Sequence, residues 1–239
     1  MPDLLELRGV NTRIGQYHIL HGVDFSVPPN SLTMLLGRNG AGKTTCLRTI
    51  MGLWRASAGK ISFEGKEITR TATPDLARLG IAYVPENMGI FAGLTVRENL
   101  VLAARNAAPD ERRLERIFRL FPAMKKFWQT LAGNLSGGQK QMLAISRAIV
   151  EPRKLLLIDE PTKGLAPAII GAMIEAFSEL KRDATLLVVE QNFHFARSLG
   201  DAVAVMDSGR IVHTGTMREL AADEALQQRL LGLSLESHQ

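Results

Sequence analysis

A chain of 239 residues in which 46% of the residues are hydrophobic and 22% are charged has the composition of a globular protein with ample core. No apolar run reaches the roughly 18–20 residues that a membrane-spanning helix needs, and the first residues lack the apolar region of a signal peptide. The formal charge of +5 could indicate nucleic-acid binding, but most of the excess falls between Arg97 and Lys126, where aromatic residues do not alternate with the charges as stacking platforms would require. The lone Cys46 excludes an intrachain disulfide. We therefore expect no nucleic-acid partner, and any role at a membrane is expected to depend on a partner protein.

The first part of the chain predicts antiparallel strands followed by a buried strand. Segments 4–10 and 19–27 partly alternate between apolar and polar residues, which is typical of strands with one exposed face. The run at 32–36 is apolar apart from Thr33 and predicts an interior strand. Further along, the sequence predicts a helix over about 43–52 and a hairpin over 60–68 with Glu64 and Gly65 at its tip. A helix capped by Thr73 and ended by Gly80 is predicted next, followed by a strand at 81–84.

A glycine-rich loop follows the predicted strand at 32–36 and fits the phosphate-loop pattern G-x-x-x-x-G-K-[ST]. Glycines let such a loop turn tightly, so that its backbone N–H groups and the N-terminus of the next helix point at phosphate oxygens. Lys43 adds a full positive charge for the β- and γ-phosphates, and Thr44 supplies a hydroxyl for Mg²⁺. We therefore expect a nucleoside triphosphate to contact the residues of this loop, which are Gly37, Arg38, Asn39, Gly40, Ala41, Gly42, Lys43, Thr44 and Thr45.

Residues 87–152 predict an all-helical insertion in a chain that otherwise mixes strands and helices. Thr95 and Glu98 have the spacing of a capping box at the start of one helix. The next helix has an apolar stripe with arginines beside it, which indicates either a solvated surface or a docking surface for a protein or an anionic membrane. The stripe consists of Leu114, Ile117, Phe118 and Phe121, and the arginines are Arg112, Arg116 and Arg119.

After the insertion the chain alternates strands with helices, which implies a mostly parallel sheet covered on both faces. The fold class is therefore predicted to be α/β. We expect residues 1–86 and 153–239 to form the core with its antiparallel strands, and residues 87–152 to form the helical subdomain. The predicted elements are strands at 154–159, 185–190, 202–206 and 210–213, helices at 167–181 and 192–199, and a terminal helical segment capped by Thr216.

Two carboxylates, Asp159 and Glu160, follow an apolar run that predicts a buried strand. Ligands of α/β sheets bind at the carboxyl ends of the strands, so Asp159 is expected to reach the edge where the phosphate loop lies. Its expected role is to hold Mg²⁺ or a water of that ion beside Thr44. Glu160 is then the expected general base, which orients or deprotonates the attacking water.

A second anion-binding pattern lies about twenty residues before that strand, where Leu135, Ser136, Gly137, Gly138 and Gln139 open a predicted helix. A serine, two glycines and a helix N-terminus favour a phosphate. One nucleotide hardly needs two such surfaces on the same chain. We therefore expect the second surface to contact the γ-phosphate bound by another subunit, so that ATP holds a head-to-tail dimer together.

In this order and spacing, the stretches Gly37–Thr45, Leu135–Gln139 and Leu155–Glu160 resemble the ATP-binding subunit of an ABC transporter over essentially the whole chain. The resemblance implies a P-loop NTPase (RecA-like) core with an antiparallel β subdomain and an inserted helical subdomain. It also implies two ATPs with Mg²⁺ between two such subunits, the second of them a non-identical paralogue or a second copy. The implied partners are membrane-spanning permease subunits at the cytoplasmic face of the membrane and, indirectly, a periplasmic or extracellular binding protein.

Three departures from the common ABC pattern resemble one branch, the ATP-binding subunits of branched-chain amino-acid importers. Glu86 stands where most relatives have glutamine, Ala166 replaces an aspartate, and Gln191 replaces a histidine that contacts the γ-phosphate. The resemblance implies that Glu86 is a metal ligand and that Gln191 belongs to the catalytic site. The adenine-stacking aromatic of relatives falls at Ile14, so Tyr17 is the candidate that replaces it.

Alternative functions remain open at this point. The chain could gate transport by binding nucleotide with weak hydrolysis, which Gln191 and Ala166 favour and Glu160 opposes. A soluble ABC ATPase acting on nucleic acid or ribosomes usually has two cassettes, long coiled-coil insertions or zinc sites, which this sequence lacks. The cargo could also be urea, amides, other amino acids or a lipid, because membrane and periplasmic components select it.

Overall fold

The computed structural model describes residues 2–105 and 109–232, which build two sheets and the helices around them. The strands are β1 Leu5–Ile14, β2 Tyr17–Val27, β3 Leu32–Leu36, β4 Ala56–Phe63, β5 Lys66–Glu67, β6 Ile81–Val84, β7 Leu155–Asp159, β8 Thr185–Glu190, β9 Ala202–Asp207 and β10 Arg210–Thr216. The helices are α1 Lys43–Ile50, α2 Thr73–Leu79, α3 Val96–Ala103, α4 Glu111–Leu120, α5 Pro122–Lys126, α6 Gly137–Ile149, α7 Pro167–Leu180, α8 Phe193–Leu199, α9 Met217–Ala222 and α10 Glu224–Leu231.

The larger sheet has the order β10-β9-β3-β8-β7-β6, and all neighbouring strands in it are parallel except the β9–β10 pair. Strands β3, β7 and β8 are buried along their whole length, which their continuous apolar sequences predict. Since β8 pairs with both β3 and β7, the loops that follow these three strands lie side by side at the carboxyl edge of the sheet. This edge is the usual ligand-binding position of such sheets.

Hydrophobic cores lie on both faces of this sheet, because successive residues of a strand point to opposite faces. On β7, Leu156 and Ile158 pack with the helical insertion, whereas Leu155 and Leu157 pack with α1 and the second sheet. That second sheet is antiparallel, with the order β2-β1-β4-β5. The predicted α/β fold with an antiparallel sheet is therefore confirmed.

Helices α3 to α6 lie between β6 and β7 in the chain, and Ile117 and Phe121 of the predicted stripe are buried. Phe118 of the stripe packs edge-on against Trp128, with ring centroids 5.2 Å apart. Two of the arginines beside the stripe form ion pairs with carboxylates outside the helical insertion. Arg116 pairs with Asp183 at 2.5 Å, and Arg119 pairs with Glu179 at 3.0 Å. This surface is therefore in part an intramolecular contact with α7 and the turn after it.

The prediction that Thr73 caps α2 is wrong. The N-cap residue is Ala72, and no side chain caps the helix. The Thr73 hydroxyl instead donates to the carbonyl oxygen of Met51 at 2.8 Å, a tertiary contact that local pattern does not reveal. Strand β10 also runs three residues further than predicted, to Thr216. Among the helices of the described residues, none has both the length and the apolar character needed to span a bilayer.

Candidate nucleotide-binding site

The predicted phosphate loop lies between the buried strand β3 and helix α1. Gly37, Gly40 and Gly42 all have positive φ, at 149°, 79° and 105°. A Cβ atom at Gly37 would lie 2.1 Å from the carbonyl oxygen of Met206 in β9, so only glycine fits this approach. Helix α1 begins at Lys43 with no side-chain cap and no acidic residue in its first turn. The amides at this helix start are therefore left for an external anion.

Lys43 is buried against its own loop, with only 4% of its surface exposed. Its ammonium group donates to the carbonyl oxygens of Gly37 at 2.7 Å and Arg38 at 3.0 Å, and lies 3.9 Å from Glu160 Oε1. Burial lowers the pKa of Lys43, and the nearby Glu160 and Asp159 oppose that shift. A buried ammonium next to backbone amides that no side chain caps is an arrangement that favours a bound phosphate.

Asp159 ends β7 and is fully buried. Its two carboxylate oxygens accept hydrogen bonds from Thr44 Oγ1 at 3.1 Å and from the Tyr83 hydroxyl at 3.2 Å. Burial raises the pKa of Asp159, while these two hydrogen bonds oppose the shift. Burial and the neighbouring Asp159 raise the pKa of Tyr83 to about 12, so its phenol remains a donor at neutral pH.

Thr44 and Asp159 suit a magnesium ion whose remaining ligands are waters and phosphate oxygens. In the described part of the chain, no group of three or more His, Cys, Asp or Glu side chains could hold a metal by itself. Magnesium in phosphate-binding enzymes usually takes one or two protein oxygens, waters and phosphate oxygens, so a set of one hydroxyl and one carboxylate suits it. Glu86, the other predicted ligand, instead pairs with Lys163 at 2.6 Å.

Glu160 adopts a positive φ of 47°, unusual for a residue other than glycine, and only 9% of it is exposed. Its amide donates to the carbonyl oxygen of Val189 at 2.9 Å, which fixes it against β8. The Gln191 side-chain amide donates to Glu160 Oε1 at 2.5 Å and to Asn39 Oδ1 at 2.7 Å. Gln191 thus connects the predicted base to the phosphate loop.

Glu190 is a buried residue of the site for which the sequence predicted no role. Its Oε1 atom accepts from the Thr162 amide at 2.9 Å and hydroxyl at 2.7 Å. Its Oε2 atom accepts from the amides of Gln191 at 2.9 Å and Asn192 at 3.0 Å. Burial raises the pKa of Glu190, while these four bonds oppose the shift. Glu190 therefore connects the loop after β7 to the loop after β8. Like Asp159, it is an acidic residue at the end of an apolar strand, and this pattern could have identified it from the sequence.

The Leu135–Gln139 stretch lies apart from these residues, and no hydrogen bond or ion pair of the described residues joins it to Gly37–Thr45. Leu135 is buried, Ser136 and Gly137 are exposed, and Ser136 caps α6 through a capping box with Gln139. The box uses the amides of Ser136 and Gln139, whereas the amides of Gly137 and Gly138 have no acceptor within the helix. A Cβ atom at Gly138 would lie 2.9 Å from Ile169 of α7, so this glycine is also needed for packing.

Tyr17 is 66% exposed at the start of β2, opposite Ile14 in the β1–β2 hairpin. Leu20, three residues further along β2, lies against the phosphate loop, since a Cβ atom at Gly42 would be 3.2 Å from its side chain. Tyr17 lies three residues before Leu20 on the same strand. Its contact with adenine stays a prediction.

Comparison with known proteins agrees with this geometry. Residues 20–163 match the family described as ABC transporter. The chain is 38% identical over 232 residues to the high-affinity branched-chain amino acid transport ATP-binding protein BraG of Pseudomonas aeruginosa, covering 96% of this chain and 100% of that protein. It is 37% identical over 233 residues to the probable branched-chain amino acid transport ATP-binding protein LivF of Archaeoglobus fulgidus, covering 95% and 99%. The crystal structure of a nucleotide-free ATP-binding cassette from an ABC transporter superposes with a TM-score of 0.81 and 25% identity, covering 98% of this chain and 100% of that one.

Proposed function

The chain belongs to the ABC transporter family, and from that premise we propose that it is the subunit that binds and hydrolyses ATP for an importer of branched-chain amino acids. The observation that carries the proposal is the meeting of Lys43, Asp159, Glu160 and Gln191 at one edge of the parallel sheet. Asp159 ends β7, Glu160 and Gln191 directly follow β7 and β8, and Lys43 begins the helix after the loop that follows β3.

ATP is proposed to bind with its phosphates against the Gly37–Thr45 loop. Lys43 exchanges its hydrogen bonds to the loop carbonyls for bonds to the β- and γ-phosphates, and the α1 amides contribute further donors. Thr44 and Asp159 would hold Mg²⁺, which neutralises phosphate charge when bound. Tyr17 is proposed to contact adenine.

Glu160 is proposed to accept the proton of the attacking water. Its low exposure and its contact with Gln191 hold the carboxylate in one place next to Lys43. Gln191 can donate a hydrogen bond to a phosphate oxygen or orient Glu160, but an amide does not exchange a proton near neutral pH. We therefore assign Gln191 a positioning role and Glu160 the proton transfer.

A second ATP-binding subunit is proposed to supply its own Leu135–Gln139 stretch to the ATP on this chain, and to receive this chain's stretch in return. The exposure of Ser136 and Gly137 supports this arrangement, as do the amides of Gly137 and Gly138, which the capping box does not use. The separation of this stretch from the phosphate loop of its own chain also supports it, because no polar contact within residues 2–105 and 109–232 joins the two surfaces.

Ser136→Arg is expected to abolish ATP turnover by the assembled complex and to leave ATP binding to the isolated chain unchanged, because the bulky cation blocks the surface that faces the partner's nucleotide. Turnover and equilibrium binding of a fluorescent ATP analogue are measured on both preparations. Ala222→Arg, on an exposed position of α9, is the matched control and should behave as the wild type. Wild-type turnover by the Ser136 variant would contradict the role of this surface.

The permease is proposed to dock at a cavity of about 650 Å³ between the core and the helical insertion. Its lining includes apolar side chains, among them Met51, Leu53 and Met88, and half of Leu53 is exposed. Tyr83 also lines the cavity and donates to Asp159, so a partner seated here would contact a residue bonded to the proposed metal site. Such contact offers a direct route from membrane subunits to the nucleotide.

The cargo is tested in cells. Deleting the gene for this chain is expected to reduce uptake of radiolabelled leucine, isoleucine and valine to background, and the wild-type gene on a plasmid should restore it. Uptake of labelled urea, acetamide and other amino acids is measured in parallel. Unchanged leucine uptake together with lost urea or amide uptake would replace the proposed cargo and keep the ATPase role.

A further inference from the structure

Lys163 lies in the turn after β7 and reaches two carboxylates from different loops. Its ammonium nitrogen is 2.6 Å from Glu86 Oε1 and 3.3 Å from Glu160 Oε2. The turn is closed by a hydrogen bond from the Lys163 amide to the Glu160 carbonyl oxygen at 3.2 Å. Gly164 follows with a φ of 70°, which lets the chain reverse at this point. The lysine thus bridges the loop after β6 and the loop after β7.

Three carboxylates meet in this corner of the site, because Glu86, Asp159 and Glu160 end or follow adjacent parallel strands. Negative charges held close together repel one another. Cations offset such repulsion, and among the ion pairs of the described residues Lys43 reaches Glu160, at 3.9 Å, but not Glu86. In this structure, Lys163 supplies the positive charge at Glu86.

Glu86 therefore has one oxygen in contact with an ammonium group, and the sequence also predicts it to be a ligand of Mg²⁺. A metal ion and an ammonium group compete for the same carboxylate lone pairs. We propose that Lys163 is a positioning residue that holds Glu86 and Glu160 in the nucleotide-free subunit and releases Glu86 when magnesium and ATP bind. This inference rests on the proposed function of the same site.

The bridge should raise the Mg²⁺ concentration needed for nucleotide binding. Binding of a fluorescent ATP analogue to the full chain is titrated with Mg²⁺ at a fixed nucleotide concentration. Lys163→Met is expected to lower the half-saturating Mg²⁺ concentration about two- to fivefold, the range that a partly exposed ion pair allows. Lys163→Arg should match the wild type, because arginine can still pair with both carboxylates. Lys154→Met is the matched control, since Lys154 has similar exposure and pairs with Glu64 at 2.7 Å.

A double-mutant comparison separates the bridge from a general effect of charge. In a Glu86→Ala background, Lys163→Met should no longer shift the Mg²⁺ dependence, because position 86 then has no oxygen for which the ammonium group and the metal ion could compete. A shift of the same size in that background, or no shift in the single variant, would overturn the inference. If the wild-type chain showed no Mg²⁺-dependent nucleotide binding at all, the proposed function itself would fail.

Discussion

Glu160→Gln is expected to reduce ATP turnover by about 10²- to 10⁴-fold, the usual contribution of a positioned general base, while ATP binding is retained. Glutamine has nearly the same shape and keeps an oxygen that can accept from Gln191, so the local packing should survive. What it loses is the ability to take a proton from water. Turnover is measured as phosphate release by the assembled complex, and binding by equilibrium titration.

The same variant should accumulate a stable ATP-bound pair of subunits, because the nucleotide that holds the two chains together is no longer consumed. Glu64→Gln serves as the control, since Glu64 is an exposed carboxylate that pairs with Lys154. It should turn over ATP at the wild-type rate. Undiminished phosphate release by the Glu160 variant would remove Glu160 from the catalytic role.

Lys43→Ala is expected to weaken ATP binding by about 10- to 100-fold, since a hydrogen bond to a charged group contributes roughly 1.5–3 kcal/mol. The ammonium is the buried cation of the phosphate loop, and its loss leaves the phosphates with only backbone donors on that side. Transport and turnover should fall to background at nucleotide concentrations that saturate the wild type. The measurement is titration with a fluorescent ATP analogue.

Removing Lys43 also leaves the carbonyl oxygens of Gly37 and Arg38 without their partner, so thermal unfolding is measured beside binding. Lys125→Ala, at an exposed position of α5, is the control and should bind ATP normally. A folded Lys43 variant with wild-type affinity would mean that the phosphates lie elsewhere.

Local pattern was enough to predict the glycine-rich turn between β3 and α1, the capping box at Thr95 and the cap at Thr216, because each depends on residues close together in sequence. The position of Asp159 was also predictable, since a buried parallel strand must deliver its last residue to the carboxyl edge.

Contacts between distant segments were not predictable in this way. Glu190 contacts the loop after β7, and Lys163 of that loop contacts Glu86 in the loop after β6. These contacts depend on which strands are neighbours in the sheet. The prediction that Thr73 caps α2 was wrong because its hydroxyl donates a hydrogen bond to the carbonyl oxygen of Met51, in the loop after α1. The roles of Ser136 and Tyr17 depend on molecules outside the chain, so they stay predictions.

The most direct test of the two-subunit site is amide hydrogen exchange of Glu160→Gln with and without magnesium and ATP, in the isolated chain and in the complex with its partner subunit. ATP should slow exchange in the Gly37–Thr45 loop in both preparations, and in Leu135–Gln139 only in the complex. Equal exchange in Leu135–Gln139 with and without ATP in the complex, or the same protection in the isolated monomer, would contradict a nucleotide shared between two chains.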